Sequence, residues 1–297
     1  MQEERKWGLL KRFCDLHTHS IYSDGTFTPR EIIDEAVASN LSAVALTDHN
    51  TIAGLSDFLN AANDKDILAI AGVEISTGYK DRELHIVGLY LEQSRFAAVE
   101  NFLKVINDRK TVSNRNLITA LQNAGFELDY DEILQKHPGM VNRAVIAAEM
   151  VDKGYISSIS EGFRGILSSK NGLYVPPARI SALDAIAFLR SVHAVPVLAH
   201  PFVSLEESEL MDFLKEAVPY GLAAMETRYS SYSPQMTQRA REICEEFGIL
   251  ESGGSDFHGN NKPEISLGIG KGTLEVPSEF EIALRNFKRN DRKSDFA

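Results

Sequence analysis

Short apolar runs recur along the chain, and each one stops at a polar residue. Leu41 to Leu46 ends in Thr47-Asp48-His49-Asn50, and Ile67 to Val73 ends at Glu74. Glu83 to Leu89 carries His85, and Val195 to Ala199 ends at His200-Pro201. Leu222 to Met225 ends at Glu226, and Ile249 leads into Glu251-Ser252-Gly253-Gly254-Ser255-Asp256-Phe257-His258. Near-continuous apolar runs suit strands covered on both faces, as in a parallel sheet. The first such segment, Cys14 to His19, alternates instead. Residues two apart in a strand share a face, which groups His17 and His19 with Asp15, and Cys14 and Leu16 with Thr18.

Helical patterns separate most of these strands. Thr28-Pro29-Arg30-Glu31 reads as a helix start, with Thr28 as N-cap, Pro29 at the first helical position and Glu31 closing a capping box. Ile32, Ile33, Ala36 and Val37 supply its apolar stripe, and Asn40 is a stop. Ala182 to Arg190 and Pro234 to Phe247 are further helices. Strand–helix alternation predicts an α/β fold with a parallel sheet. In parallel barrels functional side chains gather at the C-terminal strand ends, where the polar residues of this chain recur.

The alternation breaks between about Phe96 and Pro177. Helices are predicted at Val99 to Asn107, Thr111 to Asn123, Asp131 to Lys136 and Arg143 to Lys153. The expected division is a barrel domain over 1–99 and 178–297, with a helical insertion (cap) subdomain over 100–177. The charged tail Lys288 to Lys293 is expected to fray.

Composition narrows the class. A hydrophobic content of 43% with 25% charged residues describes a soluble globular chain. The charged start has no signal-peptide core behind it, and no apolar run suits a membrane helix. Only Cys14 and Cys244 are present, which fits a reducing cytoplasm rather than a disulfide framework. The net charge of −11 repels extended nucleic acid, so an anionic ligand needs a local positive site.

The polar groups at the strand ends form one constellation: His17, His19, Asp24, His49, Glu74, His85, His200, Asp256 and His258. It takes six of the chain's eight histidines, leaving His137 and His193 as bland. A short His pair alone is equally well read as a buried, hydrogen-bonded pair, and Asp24-Gly25 alone as a turn. Together, nitrogen and oxygen donors without cysteine suit Zn²⁺, Mn²⁺ or Fe²⁺. They exceed the needs of one ion, so two or three divalent metal ions sharing a carboxylate are expected. Neighbouring ions are a usual device for phosphate-ester hydrolysis, in which a metal-bound hydroxide attacks and no serine or cysteine nucleophile is needed. Three carboxylates against three divalent ions leave an excess of positive charge that a dianionic phosphate and a hydroxide cancel.

These segments, His17-Thr18-His19, Asp24, Thr47-Asp48-His49-Asn50, Gly72-Val73-Glu74, His85-Ile86-Val87-Gly88, Ala199-His200-Pro201 and Ser255-Asp256-Phe257-His258, together resemble the PHP (polymerase and histidinol phosphatase) family. The resemblance implies a distorted (β/α)₇ TIM-like barrel with a trinuclear metal site. By resemblance, His17, His19, Glu74 and Asp256 hold one ion. Glu74 bridges to a second with His85 and His200, while Asp24, His49 and His258 hold a third.

The helical insertion resembles that of the TrpH-like metal-dependent phosphoesterase branch, which acts on AMP, 3′,5′-bisphosphonucleotides or 5′-phosphorylated RNA ends. That branch has Arg-Pro-His in the insertion where this chain has Arg143-Ala144-Val145. A phosphate contact by Arg143 carries over, and the imidazole does not. Asp48 is a candidate to orient an imidazole, with a turn residue as the equal alternative. Glu226 and Arg228 also end a strand and are candidates to line the site, with packing or surface roles as equal alternatives. His200 and His258 are candidates to assist proton transfer.

The expected activity is hydrolysis of small nucleotide phosphomonoesters. The alternatives are a 5′→3′ exoribonuclease, a sugar-phosphate or histidinol-phosphate phosphatase, and a non-catalytic module of the same fold. Loss of ligand positions would mark the last, and all are present.

Overall fold

In a computed structural model the described residues are 13–136, 141–170 and 172–294, with side chains described as far as residue 291. His137 and the charged start lie outside them. The chain divides into two compact units, one made of residues up to Glu100 and from Ile180 onward, the other of Asn101–Arg179.

The first unit is built on strands β1 (Cys14–Thr18), β2 (Ala43–Leu46), β3 (Leu68–Tyr79), β4 (Arg82–Leu89), β5 (Ile180–Ser181), β6 (Val195–Leu198), β7 (Ala224–Tyr229) and β8 (Leu250–Gly254). The sheet order is β1-β2-β3-β4-β6-β7-β8, with β5 pairing on β3. A parallel bridge between Thr18 and Phe257 brings β1 against the segment after β8 and nearly closes the sheet into a barrel. Gly254 permits that approach, since a Cβ there would lie 2.4 Å from Cβ of His17.

One strand departs from the expected parallel sheet. β4 runs antiparallel to both β3 and β6. The cause is local: Tyr79 pairs with Arg82, so Lys80-Asp81 is a two-residue hairpin loop, too short for a parallel crossover. β3 also runs on through Tyr79, which places Glu74 within the strand rather than at its end. The reversal has a consequence for His85. Because β4 starts where β3 finishes, His85 lies near the beginning of its strand and still sits opposite Ser76, close to Glu74.

The helix Pro29–Ala38 begins as expected, with Thr28 and Glu31 forming the capping box, and it buries Ile32, Ile33 and Ala36. The helices Ala182–Ser191 and Pro234–Phe247 lie where the periodicity placed them. Leu16, Ala43, Ala45, Ile70, Val87 and Val197 pack in one core cluster with Leu284, Phe280 and Phe287. Those last three belong to a helix over Ser278–Ser294, so the charged tail expected to fray is helical.

In the second unit the two helices expected before Asn123 are one, over Phe96–Asn123, which begins in the first unit. No glycine or proline interrupts that stretch, and helix formation continues where nothing breaks it. Tyr130–Lys136, Arg143–Asp152 and Ile159–Arg164 follow. This unit has its own core, which includes Leu117, Leu121, Ile146 and Met150. Among the described residues no helix is long and apolar enough to cross a membrane.

Candidate metal centre

Six of the strands, β1, β2, β3, β4, β6 and β8, deliver donors to one place. His17 lies in β1 and His19 one residue beyond it. The following loop carries Asp24, and that loop is braced from the end of β2. Asp48 accepts hydrogen bonds from Ser20 N (2.7 Å), Ser20 Oγ (2.6 Å) and Ser23 Oγ (2.6 Å). Asp48 therefore orients the loop and not an imidazole, unlike the reading in which it serves a histidine. His200 follows β6 in a left-handed conformation at φ 30°, and Asp256 follows β8 at φ 57°. Non-glycine residues held there cost of order 1–3 kcal/mol each, and such strain concentrates at functional sites.

Glu74 is the centre of the arrangement, and its two oxygens divide the imidazoles between them. Oε1 lies 2.7 Å from His85 Nδ1 and 3.0 Å from His200 Nε2. Oε2 lies 3.2 Å from His17 Nε2, 3.3 Å from His19 Nε2 and 2.9 Å from His49 Nδ1. Around the rim, Asp256 Oδ1 is 3.2 Å from His19 Nε2, and Asp24 Oδ1 is 3.3 Å from His258 Nε2. All nine residues singled out in the sequence fall into four overlapping groups, within each of which the ligand atoms lie no more than 4.8 Å apart. The groups are His19, Asp24, His49 and His258; His17, His19 and Asp256; His17, Glu74 and His200; and His49, Glu74 and His85.

The chemistry of the centre fits divalent cations. Glu74 Oε2 and His49 Nδ1 face each other at 2.9 Å, yet both are buried without a hydrogen bond. Buried polar atoms are rarely left unpaired, and two lone pairs converging on one space suit a cation between them. Charge points the same way. Burial opposes ionisation of Glu74, but the His49, His85 and His17 imidazoles hold its carboxyl well below the usual range. Burial opposes the Asp256 anion too, and His19 and His17 outweigh it. Conversely, burial disfavours charge on His19, yet Asp256 and Glu74 raise it to about 9. His85 reaches about 9 against its own burial, through Glu74. The buried carboxylates thus call for positive charge, which ions would supply in place of protons.

A shell of further residues holds the donors. Glu226 Oε1 lies 2.8 Å from His17 Nδ1, and its Oε2 accepts from the His200 backbone N–H at 2.7 Å. The sequence marked Glu226 as a residue lining the site. It also marked Arg228, whereas Tyr229 is the strand residue that reaches the centre, donating to Asp256 Oδ2 at 2.8 Å. A register shift between Glu226 and Arg228 alters the alternation on which that reading relied. Lys262 donates to the same Asp256 oxygen at 2.7 Å, and no sequence pattern signalled it. Asp15, expected to share the face of His17, instead accepts from the backbone N–H groups of Ser255 and Gly268 and from Ser255 Oγ.

Arg143 belongs to the second unit. There its guanidinium lies over the rings of Phe163 (4.4 Å) and Tyr174 (4.3 Å) and donates to the Leu167 carbonyl. His193 sits between a helix and a strand with φ 59° and contributes no donor to the centre.

A nearly closed α/β barrel with histidine and carboxylate donors converging at one end defines a metal-dependent hydrolase of phosphate esters. The chain belongs to the PHP domain family, whose model matches residues 15–166. A 3′,5′-nucleoside bisphosphate phosphatase of Chromobacterium violaceum is 31% identical over 82% of this chain and 86% of its own length. A 5′-3′ exoribonuclease of Haemophilus influenzae is 29% identical over 82% of this chain and 89% of its own. Among solved structures, an amidohydrolase from Chromobacterium violaceum with bound sulfate and no metal superposes with a TM-score of 0.76. It is 28% identical, over 91% of this chain and 96% of that one. A Bifidobacterium adolescentis protein shares the fold with a TM-score of 0.77 at 24% identity, over 91% and 94% of the two chains.

Proposed function

We propose that this chain removes phosphate from a small nucleotide, AMP or a 3′,5′-bisphosphonucleotide, with two or three divalent ions of Mn²⁺, Fe²⁺ or Zn²⁺ held at the barrel end. The observation that carries the reading is Glu74, whose two carboxylate oxygens each face a different set of imidazoles, the arrangement a bridging ligand needs. In this reading Glu74, His85 and His200 would hold one ion, Glu74, His17, His19 and Asp256 a second, and Asp24, His49 and His258 a third. Bound ions would neutralise phosphoryl oxygens and lower the pKa of water toward about 7.

The residues of the chain do the rest. Glu226 holds His17 and the His200 backbone, and Asp48 holds the loop of Asp24. His258 keeps Nδ1 on the Asp256 carbonyl at 2.8 Å, and His200 Nδ1 is buried. With one nitrogen engaged and the other buried, we assign protonation of the leaving oxygen to solvent water.

A row of rings supports an aromatic substrate. His200, Tyr229, Tyr232 and Phe202 follow one another at centroid separations of 5.2, 5.3 and 5.5 Å, from the buried His200 to three partly buried rings. Stacking on such rings is how proteins hold a base without reading its sequence. The similarity to a 3′,5′-nucleoside bisphosphate phosphatase agrees with this substrate, and the acidic chain disfavours a long polyanion.

The deciding experiment compares AMP, 3′,5′-bisphosphoadenosine, glycerol phosphate and a 5′-phosphorylated RNA oligomer at equal concentration with Mn²⁺ added. Fastest turnover of the two nucleotides is expected. Faster turnover of the oligomer would promote the exoribonuclease reading, and preference for glycerol phosphate would remove the nucleoside from the substrate.

A further inference from the structure

We propose that Lys262 binds the phosphate of the substrate beside the metal centre, an inference that rests on the phosphoesterase reading above. Its ammonium lies 2.7 Å from Asp256 Oδ2, while the other oxygen of that carboxylate faces His19, His17 and His258. Lys262 is therefore one carboxylate away from the converging donors. Among the described residues of the first unit no other lysine or arginine forms a hydrogen bond or ion pair with any of the nine.

The lysine side chain is 35% exposed, against 6% for Asp256, so it stands where the buried centre meets solvent. An ammonium carries three N–H donors, and Asp256 takes one of them. The others remain for a phosphoryl oxygen without breaking the ion pair. Asp256 does not need the lysine for its own orientation. Tyr229 already donates to Oδ2 at 2.8 Å, and a part-exposed ion pair contributes little by itself.

The segment that presents Lys262 is fixed to the loop of Asp24. Asn261 Nδ2 donates to the Asp24 carbonyl at 2.8 Å, and Asn260 N–H donates to Thr26 Oγ1 at 2.8 Å. Lys262 N–H closes a short turn onto Gly259. Gly259 has φ 61°, and a Cβ there would meet Thr26 Oγ1 at 2.2 Å, so glycine is needed for the segment to approach that loop. The segment that carries the ammonium is thus anchored to the loop of Asp24, and the ammonium itself to Asp256, as a preorganised phosphate contact requires.

The test measures binding of inorganic phosphate to metal-loaded protein by calorimetry, together with metal content and steady-state kinetics. Lys262→Met is expected to weaken phosphate binding by about 10- to 100-fold, the weight of a hydrogen bond from a charged donor. It should raise KM with metal content unchanged, and Lys262→Arg should recover part of the loss. Lys215→Met, which removes an exposed lysine paired with Asp212 and not with any of the nine donors, should leave phosphate affinity near that of the wild type. The proposal is overturned if wild-type protein binds no phosphate, or if Lys262→Met binds it as well as wild type. It is equally overturned if metal content falls in step with phosphate binding, or if Lys215→Met weakens binding as much as Lys262→Met. Phosphate binding that depends on Lys262 in a protein that hydrolyses no phosphomonoester would leave this inference standing and reject the proposed function.

Discussion

His17 Nδ1 lies 2.8 Å from Glu226 Oε1, on the side of the ring away from Glu74. Both side chains are buried. The carboxylate assigns the proton to Nδ1 and leaves the Nε2 lone pair directed at Glu74 and His19. Its second oxygen accepts from the backbone of His200, so one buried carboxylate positions two donors from different strands.

Replacing Glu226 by Gln tests that arrangement with little change of shape. Both oxygens of Glu226 face N–H donors, and an amide has only one acceptor to offer. Metal affinity should fall by about 10- to 100-fold while the protein remains folded. Chelator competition on the purified variant measures it, and wild-type affinity would show that Glu226 does not hold the donors.

Glu74→Ala should cost more than one ion. Because Oε1 and Oε2 face separate sets of imidazoles, no terminal donor can replace both contacts. Elemental analysis should show a greater loss of bound metal in Glu74→Ala than in His85→Ala. Undiminished occupancy in Glu74→Ala would rule out a bridging ligand.

Much of the barrel was legible because its signals are local. The helix over Pro29–Ala38 begins with residues that cap their own backbone, and Thr28 and Glu31 announce it without tertiary help. Donors such as His49, Glu74 and His200 were legible because each follows an apolar run. β4 was misjudged because two parallel strands and a hairpin present the same apolar pattern, and only the short Lys80-Asp81 connection distinguishes them. Tyr229 was missed because a register shift in β7 changes which residues share a face, and alternation carries no trace of it. Asp48 acts through a contact 28 residues away at Ser20, and Lys262 reaches Asp256 six residues back across an irregular turn, and neither relation follows a helical or strand period that a sequence pattern displays.

Asp15→Asn should destabilise the first unit. Asp15 Oδ2 accepts from Ser255 Oγ (2.5 Å) and Gly268 N–H (2.8 Å), and Oδ1 from Ser255 N–H (2.9 Å). The residue is fully buried, so an amide group leaves a donor facing a donor with no water to relieve it. A loss of about 1–3 kcal/mol is expected, which corresponds to a fall in Tm of roughly 2–12 °C for a domain of this size. Because Ser255 precedes Asp256, activity should fall with it. A melting curve unchanged from wild type would contradict the bracing role.

Arg143 makes a different claim on stability, because its guanidinium is held between two rings of its own unit. Cation–π contacts of this kind contribute about 0.5–2 kcal/mol each, and lysine cannot reproduce the planar stack. Thermal unfolding should therefore rank wild type above Arg143→Lys and Arg143→Ala lowest, with metal content unchanged in all three. A drop in kcat/KM for Arg143→Lys without any change in unfolding would instead assign the guanidinium to substrate.

The two thiols should be inert in the folded protein. Burial pushes Cys244 up to about 12, with Glu251 adding to the shift, and burial with Asp15 nearby raises Cys14 well above the ordinary thiol value. At pH 8 a thiol of pKa about 12 is ionised in roughly one molecule in ten thousand, and the thiolate is the reactive form. A chromogenic disulfide reagent should therefore find no thiol in native protein and both after denaturation. The stability consequence follows from the sign of the shift. A thiol pKa raised on folding favours the folded state below its unfolded value near 9, and that contribution is lost as pH rises from about 9 toward 12. Alkaline melts should show Tm falling through that window, with less of a fall in Cys244→Ala. Rapid labelling of native protein at pH 8 would mean that the Cys244 thiol is not shielded as the packing requires.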